Sequence, residues 1–143
     1  MFVGTFNHQI DDKGRMRIPS KFKDELGKDP FIMQGADKCL YVYPRDYADE
    51  MLKSVFGDGR FNDKAKNAEK AKLMSKACFG EDDKQGRTTL PQGLLKYAGI
   101  KLSSSIVTIG AYDHVQIWDK DTWEKFSEDD NAGEQFDELK ENQ

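Results

Sequence analysis

Residues 11–22 read DDKGRMRIPSKF, and residues 82–94 read DDKQGRTTLPQGL. Laying Gly14-Arg15 on Gly86-Arg87 gives an offset of 72 residues. That offset also places Asp11 on Asp83, Ile18 on Leu90, Pro19 on Pro91, Phe22 on Leu94 and Gly27 on Gly99. With three further residues in the second copy, Gly35-Ala36 falls on Gly110-Ala111, Val42-Tyr43 on Ile117-Trp118 and Met51 on Phe126. One unit is therefore written twice. A solenoid needs about three repeats to bury a continuous core, so two copies predict a pair of similar modules related by a pseudo-twofold axis.

Each unit follows the same local logic. In FVGTFNHQI, Phe2, Phe6 and Ile10 share one parity and Thr5, Asn7 and Gln9 the other, the pattern of a half-buried strand. DDKG is a turn, with aspartates that bond their own backbone and a glycine free to take positive φ. RMRI predicts a second strand, Met16 and Ile18 inward, Arg15 and Arg17 outward. Pro19 suits a helix start and Gly27 its end, with Phe22 and Leu26 one turn apart between them. The second copy repeats this with Pro91, Leu94 or Leu95, Ala98 and Gly99. Two strands then follow in each unit: FIM and LYVY in the first, IVTI and VQIW in the second. RDYADEMLKSVF carries Ala48, Met51, Leu52 and Val55 at helical spacing. GDGRFND is a glycine-rich break, and the alanine-rich KAKNAEKAKLMSKACF predicts a helix joining the units. The expected organisation is α+β: a first unit over residues 1–56, a linker and connecting helix over 57–79, a second unit over 80–126, and an acidic tail over 127–143.

The 143 residues carry 37% hydrophobic and 34% charged side chains, as expected of a soluble domain with a large wet surface. No apolar run reaches the roughly 18 residues of a membrane span, and MFVGTFNHQI lacks the basic-then-apolar layout of a signal peptide. The net charge of −4 is unevenly spread. Residues 124–143 hold eight acids and two lysines, while the remaining 123 residues carry 20 bases against 18 acids. The acidity belongs to the tail, which reads as a solvated, mobile end. The stretch from Arg60 to Lys76 holds six bases and two acids and reads as a solvated helix face.

Several chemistries find little support. Cys39 and Cys78 form no CxxC pair, and only His8 and His114 could add imidazole ligands, so a zinc site is not expected. Both thiols read as unreactive and buried in a reducing compartment. No GxxxxGK[ST], GxSxG or HExxH occurs, and GDGR near Gly57 lacks the lysine and hydroxyl of a phosphate cradle. Neither histidine sits beside a nucleophile, and His8 reads as a satisfied strand residue. No catalytic residue, metal or cofactor is predicted.

The doubled Asp-x-x-x-Arg, Asp11/Arg15 and Asp83/Arg87, admits two readings. In one, each arginine closes an exposed salt bridge with its own aspartate, contributing about 0–1 kcal/mol. In the other, a tight turn projects arginines from a stiff support, and the guanidinium fork meets phosphates and guanine edges. The first copy packs Lys13, Arg15, Arg17, Lys21 and Lys23 into eleven residues, whereas the second keeps Lys84 and Arg87 and has Thr88 and Thr89 in place of Met16 and Arg17. The two halves are not expected to bind equally.

At these residues the chain resembles the MraZ family, built from two SpoVT/AbrB-type units. The resemblance spans roughly residues 1–126 and rests on MFVGTFNHQIDDKGRMRIPSKF and DDKQGRTTLPQGLLKYAGI. It implies a duplicated swapped-hairpin AbrB-like β-barrel with flanking helices, completed by both halves of one chain, and ring-like homo-oligomers. It implies a cytoplasmic, nucleoid-associated transcriptional regulator without catalysis or cofactor, reading short direct repeats in double-stranded DNA upstream of the division and cell-wall gene cluster. It assigns DNA contact to Lys13, Arg15 and Arg17, and more weakly to Arg87, with Asp11, Gly14, Asp83 and Gly86 shaping the turns. The rival expectation is an oligomeric protein-interaction scaffold whose arginines are salt-bridged and read no DNA sequence.

Overall fold

The computed structural model describes residues 1–57 and 64–143. Apart from Gly57, the GDGRFND break lies outside the described residues, and with it most of the GDGR segment and the start of the basic run at Arg60.

The first unit runs β1 (Thr5–Gln9), β2 (Arg15–Met16), α1 (Ser20–Leu26), β3 (Phe31–Gln34), β4 (Leu40–Tyr43) and α2 (Arg45–Phe56). After α3 (Lys64–Met74), the second unit gives β5 (Cys78–Phe79), β6 (Thr88–Thr89), α4 (Gln92–Tyr97), β7 (Ser105–Gly110), β8 (Val115–Asp119) and α5 (Lys120–Phe126). The tail adds α6 (Ala132–Glu141). Prolines 19, 44 and 91 sit at the N-caps of α1, α2 and α4. There the fixed proline φ suits helix entry, and the missing N–H lies at a helix start where no intrahelical partner is required. Gly27 closes α1 at φ 73°, donating its N–H to the Lys23 carbonyl.

The fold is mixed α+β. A six-stranded antiparallel sheet has the order β1-β7-β8-β4-β3-β5, and β2 and β6 form a separate two-stranded ladder. The units trade partners: β1 of the first pairs with β7 of the second, and β5 of the second with β3 of the first. Two ladders straddle the pseudo-twofold. In β2·β6, Met16 faces Thr88, its own repeat equivalent. In β4·β8, Tyr41 faces Gln116, again its equivalent, flanked by Leu40–Ile117 and Val42–Val115. The duplication read in the sequence is thus a spatial symmetry of the chain. No closed barrel forms among the described residues, since β1 and β5 stand at the two edges of the larger sheet.

The main core draws on both units. Ile32, Leu40, Val42, Ile106 and Ile117 from the sheet pack against Phe22 and Leu26 of α1 and Leu94 and Leu95 of α4. Phe22, only 1% exposed, takes the edges of Phe2 and Phe6 at ring separations of 5.9 and 5.1 Å, a geometry that adds to simple area burial. Two smaller clusters involve the other face of the sheet. Cys39, Val107, Ile109 and Trp118 pack with Trp123 of α5, and Phe31, Tyr43 and Ala48 pack with Met51 and Leu52 of α2.

Two local expectations are corrected. The connecting helix stops at Met74 instead of running to Phe79. Cys78 and Phe79 pair with Ile32 and Phe31, and the free edge of β3 outweighs the helical bias of an alanine-rich run. RMRI is strand only at Arg15–Met16, because its partner β6 is equally short. The tail, read as a solvated end, contains α6, whose residues are all exposed.

Candidate nucleic-acid interface

The two Asp-x-x-x-Arg turns are built alike, bond for bond. In the first, Asp11 Oδ1 accepts from the backbone N–H of Lys13 at 2.9 Å and of Arg15 at 2.8 Å, while Oδ2 accepts from Arg15 Nε at 2.6 Å. In the second, Asp83 Oδ1 accepts from the N–H of Gln85 at 2.8 Å and of Arg87 at 2.9 Å, and Oδ2 from Arg87 Nε at 2.9 Å. Backbone bonds from Asp11 to Arg15, Gly14 to Asp11, Asp83 to Arg87 and Gly86 to Asp83 close both turns. Gly14 and Gly86 take φ of 79° and 76°, a region that a side chain strongly disfavours. Each aspartate is thus a keystone: one oxygen organises the loop backbone, the other fixes the arginine's direction.

That bonding shows in the acidity of the carboxyls. Desolvation pushes Asp11 upward, but the N–H groups of Arg15 and Lys13 and the Arg15 guanidinium outweigh it and bring Asp11 down to about 2. Asp83 is lowered chiefly by the Arg87 N–H, against the opposing effect of desolvation, and further by the Gln85 N–H and the Arg87 side chain.

The β2·β6 ladder sets the turns side by side. Leu90 donates its N–H to the Gly14 carbonyl at 2.8 Å. Arg17 reaches across the axis and donates Nη1 to the Gln85 carbonyl. Arg87 Nη1 lies 3.9 Å from Asp11 Oδ2. A recess of about 320 Å³ between the turns is lined by Arg15, Arg17, Arg87 and His8, among others.

The structure sorts the expected site residues into two kinds. Arg15 and Arg87 are half-buried clamps, with side-chain exposures of 26% and 24% and their Nε committed to aspartate. Lys13 and Arg17 are exposed, and neither forms an ion pair with a described residue. Asp11, Gly14, Asp83 and Gly86 lie within the two turns. Sequence reading passed over Gln85 as the acceptor for Arg17. It also passed over Asp82, which binds Lys23 Nζ at 2.6 Å and Thr88 Oγ1 at 3.0 Å. The Arg17–Gln85 and Lys23–Asp82 contacts join one unit to the other, and no local signal announces them.

His114 and the cysteines stand apart from this edge, whereas His8 borders the recess between the turns. His8 Nε2 lies 2.6 Å from Thr108 Oγ1, and burial lowers its pKa. His114 Nδ1 lies 2.7 Å from Asp113 Oδ1, with the ring against Tyr41 and Tyr43. Burial, reinforced by Asp37, raises the Cys39 thiol to about 12, and burial also raises Cys78. Among the described residues no group of three or more histidine, cysteine or acidic side chains is arranged to hold a metal. Among the described residues, no helix is long and apolar enough to cross a membrane.

Comparison with known proteins matches residues 1–68 and 73–143 to the family described as "MraZ protein, putative antitoxin-like". The chain is 37% identical to the transcriptional regulator MraZ of Finegoldia magna over 144 residues, covering 97% of this chain and 94% of that protein. It is 39% identical to the namesake of Limosilactobacillus fermentum over 146 residues, with the same coverage of each. The Clostridium tetani namesake is 38% identical over 131 residues, 90% of this chain and 88% of that one.

Proposed function

The chain belongs to the MraZ family, and from that membership we propose that it is a sequence-specific DNA-binding transcriptional regulator, not an enzyme. In this reading it acts in the cytoplasm, on the nucleoid, upstream of the division and cell-wall gene cluster. Lys13, Arg15, Arg17 and Arg87 meet the duplex. The cross-unit β2·β6 ladder carries the reading, because it brings two rigid, arginine-bearing turns onto one edge. The exchange of strands between units supports a swapped-hairpin frame behind that edge.

One protomer offers few cationic contacts, so its binding is weak and sensitive to salt. A ring of copies meeting short direct repeats supplies the missing affinity. Once one subunit is engaged, the next repeat is at high effective concentration, which raises avidity by about 10²–10⁴.

The aspartate–arginine pairs favour the rival scaffold reading, in which these guanidinium groups are structural. A titration decides between the two: the full-length protein against a duplex carrying short direct repeats and against a scrambled duplex, at two salt concentrations. The regulator reading expects preference for the repeats that survives at the higher salt. Equal affinity for both duplexes would leave only a cationic surface and sink it.

A further inference from the structure

His8 has no task in the DNA reading, yet it borders the recess between the two turns. Arg15 and Arg17 of the first unit and Arg87 of the second also line that recess, and Asp11 is the acid among its lining residues. Three guanidinium groups against one carboxylate make a cationic hollow. The carboxylate is already engaged, with Oδ1 on two backbone N–H groups and Oδ2 on Arg15 Nε.

The strand places the ring. Exposure alternates along β1, and Phe6 and His8 share its half-buried face. His8 Nε2 meets Thr108 Oγ1 of β7 at 2.6 Å, and Thr108 is fully buried. A hydroxyl accepts from an imidazole or an imidazolium N–H alike, so this contact holds in either charge state of the ring. His8 Nδ1 has no hydrogen-bond partner among the described residues. The neighbouring elements bring it little to pair with: β7 carries no ionisable side chain, the first turn and its strand bring Asp11, Arg15 and Arg17, and the second turn brings Arg87. Burial lowers the pKa of His8, so the free protein keeps the ring neutral near about pH 7.

We infer that this recess takes one phosphate of the DNA backbone, and that protonated His8 contacts it through Nδ1. The inference rests on the reading of this edge as DNA-facing. A phosphodiester stays anionic across the neutral range and supplies the charge partner that the free recess lacks, so binding is coupled to proton uptake by the ring. The bound phosphate raises the His8 pKa above its value in the free protein. The added affinity is therefore fully present below the free-state value and is lost as pH rises through the bound-state value. Between the two, affinity changes by at most about tenfold per pH unit. A phosphate carries no base identity, so the linkage is the same on every sequence.

The test is an anisotropy titration of the full-length protein against the repeat-bearing and the scrambled duplex, from about pH 6 to about pH 8 at one salt concentration. The wild type should gain affinity severalfold toward the acid end on both duplexes. His8→Gln, which keeps a side-chain amide for Thr108, should lose that gain. A wild-type slope no steeper than that of His8→Gln overturns the inference. So does a slope confined to the repeat-bearing duplex, which would put His8 on a base edge. NMR of the ring carbons in the wild type gives a second measure that does not depend on the variant folding. The chain has two histidines, and adding the scrambled duplex should raise the titration midpoint of His8 while leaving that of His114 in place; an unmoved His8 overturns the inference. Preference for the repeats at about pH 8 judges the regulator reading separately. Preference without a pH slope removes only the role of His8, and a slope without preference removes only the sequence reading.

Discussion

Lys13→Gln is the sharpest probe of the proposed edge, because it writes the second turn's residue, Gln85, into the first. Lys13 is exposed and contributes only its backbone N–H to the turn. The substitution therefore leaves the Asp11 scaffold, the Arg15 clamp and the β2·β6 ladder unaltered. If Lys13, Arg15, Arg17 and Arg87 each neutralise one phosphate, log affinity falls against log salt with a slope of about −3.6, at about 0.9 per phosphate. Raising salt fourfold, from about 50 to about 200 mM, then weakens a protomer's binding by about 150-fold. Removing one contact reduces the slope to about −2.7 and the loss to about 40-fold. Fluorescence anisotropy over a salt series, with full-length protein on a duplex long enough for one protomer, measures both slopes. The ratio of the two losses, close to fourfold, does not depend on how the remaining contacts divide between phosphates and bases. An unchanged slope in Lys13→Gln refutes the placement of the duplex across the first turn.

Arg15→Ala should abolish preference for the repeat-bearing duplex while leaving the circular dichroism spectrum and the oligomer size unchanged; wild-type preference would show the guanidinium to be structural. The lowered pKa of Asp11, about 2 against an ordinary 3.8, means that its contribution to stability is fully present above about pH 4 and is lost as pH falls toward 2. Melting temperature followed from pH 5 to pH 2 should therefore fall less steeply in Asp11→Asn than in the wild type. Phe22→Ala removes a ring that is 1% exposed and held by two aromatic edges; chemical denaturation should report a loss of about 3–5 kcal/mol. Gly110→Ala places a methyl 2.7 Å from Val3 Cα, and closer still to Val3 N and the Phe2 carbonyl carbon. The Phe2–Tyr112 bridge must shift to admit it, at a cost of about 1–3 kcal/mol in the same assay.

Much of this was legible because the chain repeats itself. Matching Gly14-Arg15 to Gly86-Arg87 located both turns and the entries to α1 and α4, and it anticipated the pseudo-twofold on which Met16 meets Thr88. Parity placed Phe2 and Ile10 in the core. What stayed hidden was decided across the chain. The fate of Ala77–Phe79 depends on the open edge of β3, a partner more than forty residues away, and a local alanine-rich pattern cannot register it. The Asp82–Lys23 and Arg17–Gln85 contacts likewise exist only once the units are folded together. The role of each arginine was undecidable from spacing, since a clamp and a reader need the same Asp-x-x-x-Arg sequence.

Covalent fusion of the two units has a consequence for how a duplex is approached. Two identical subunits about a true dyad present mirrored faces and call for palindromic half-sites. Here the dyad is broken around the turns, where Lys13 has Gln85 as its repeat equivalent and Arg17 has Thr89, although the scaffolding bonds beneath are the same in both. Such a molecule has a head and a tail. On the proposed edge it distinguishes one strand polarity from the other, so successive copies along DNA must all point the same way.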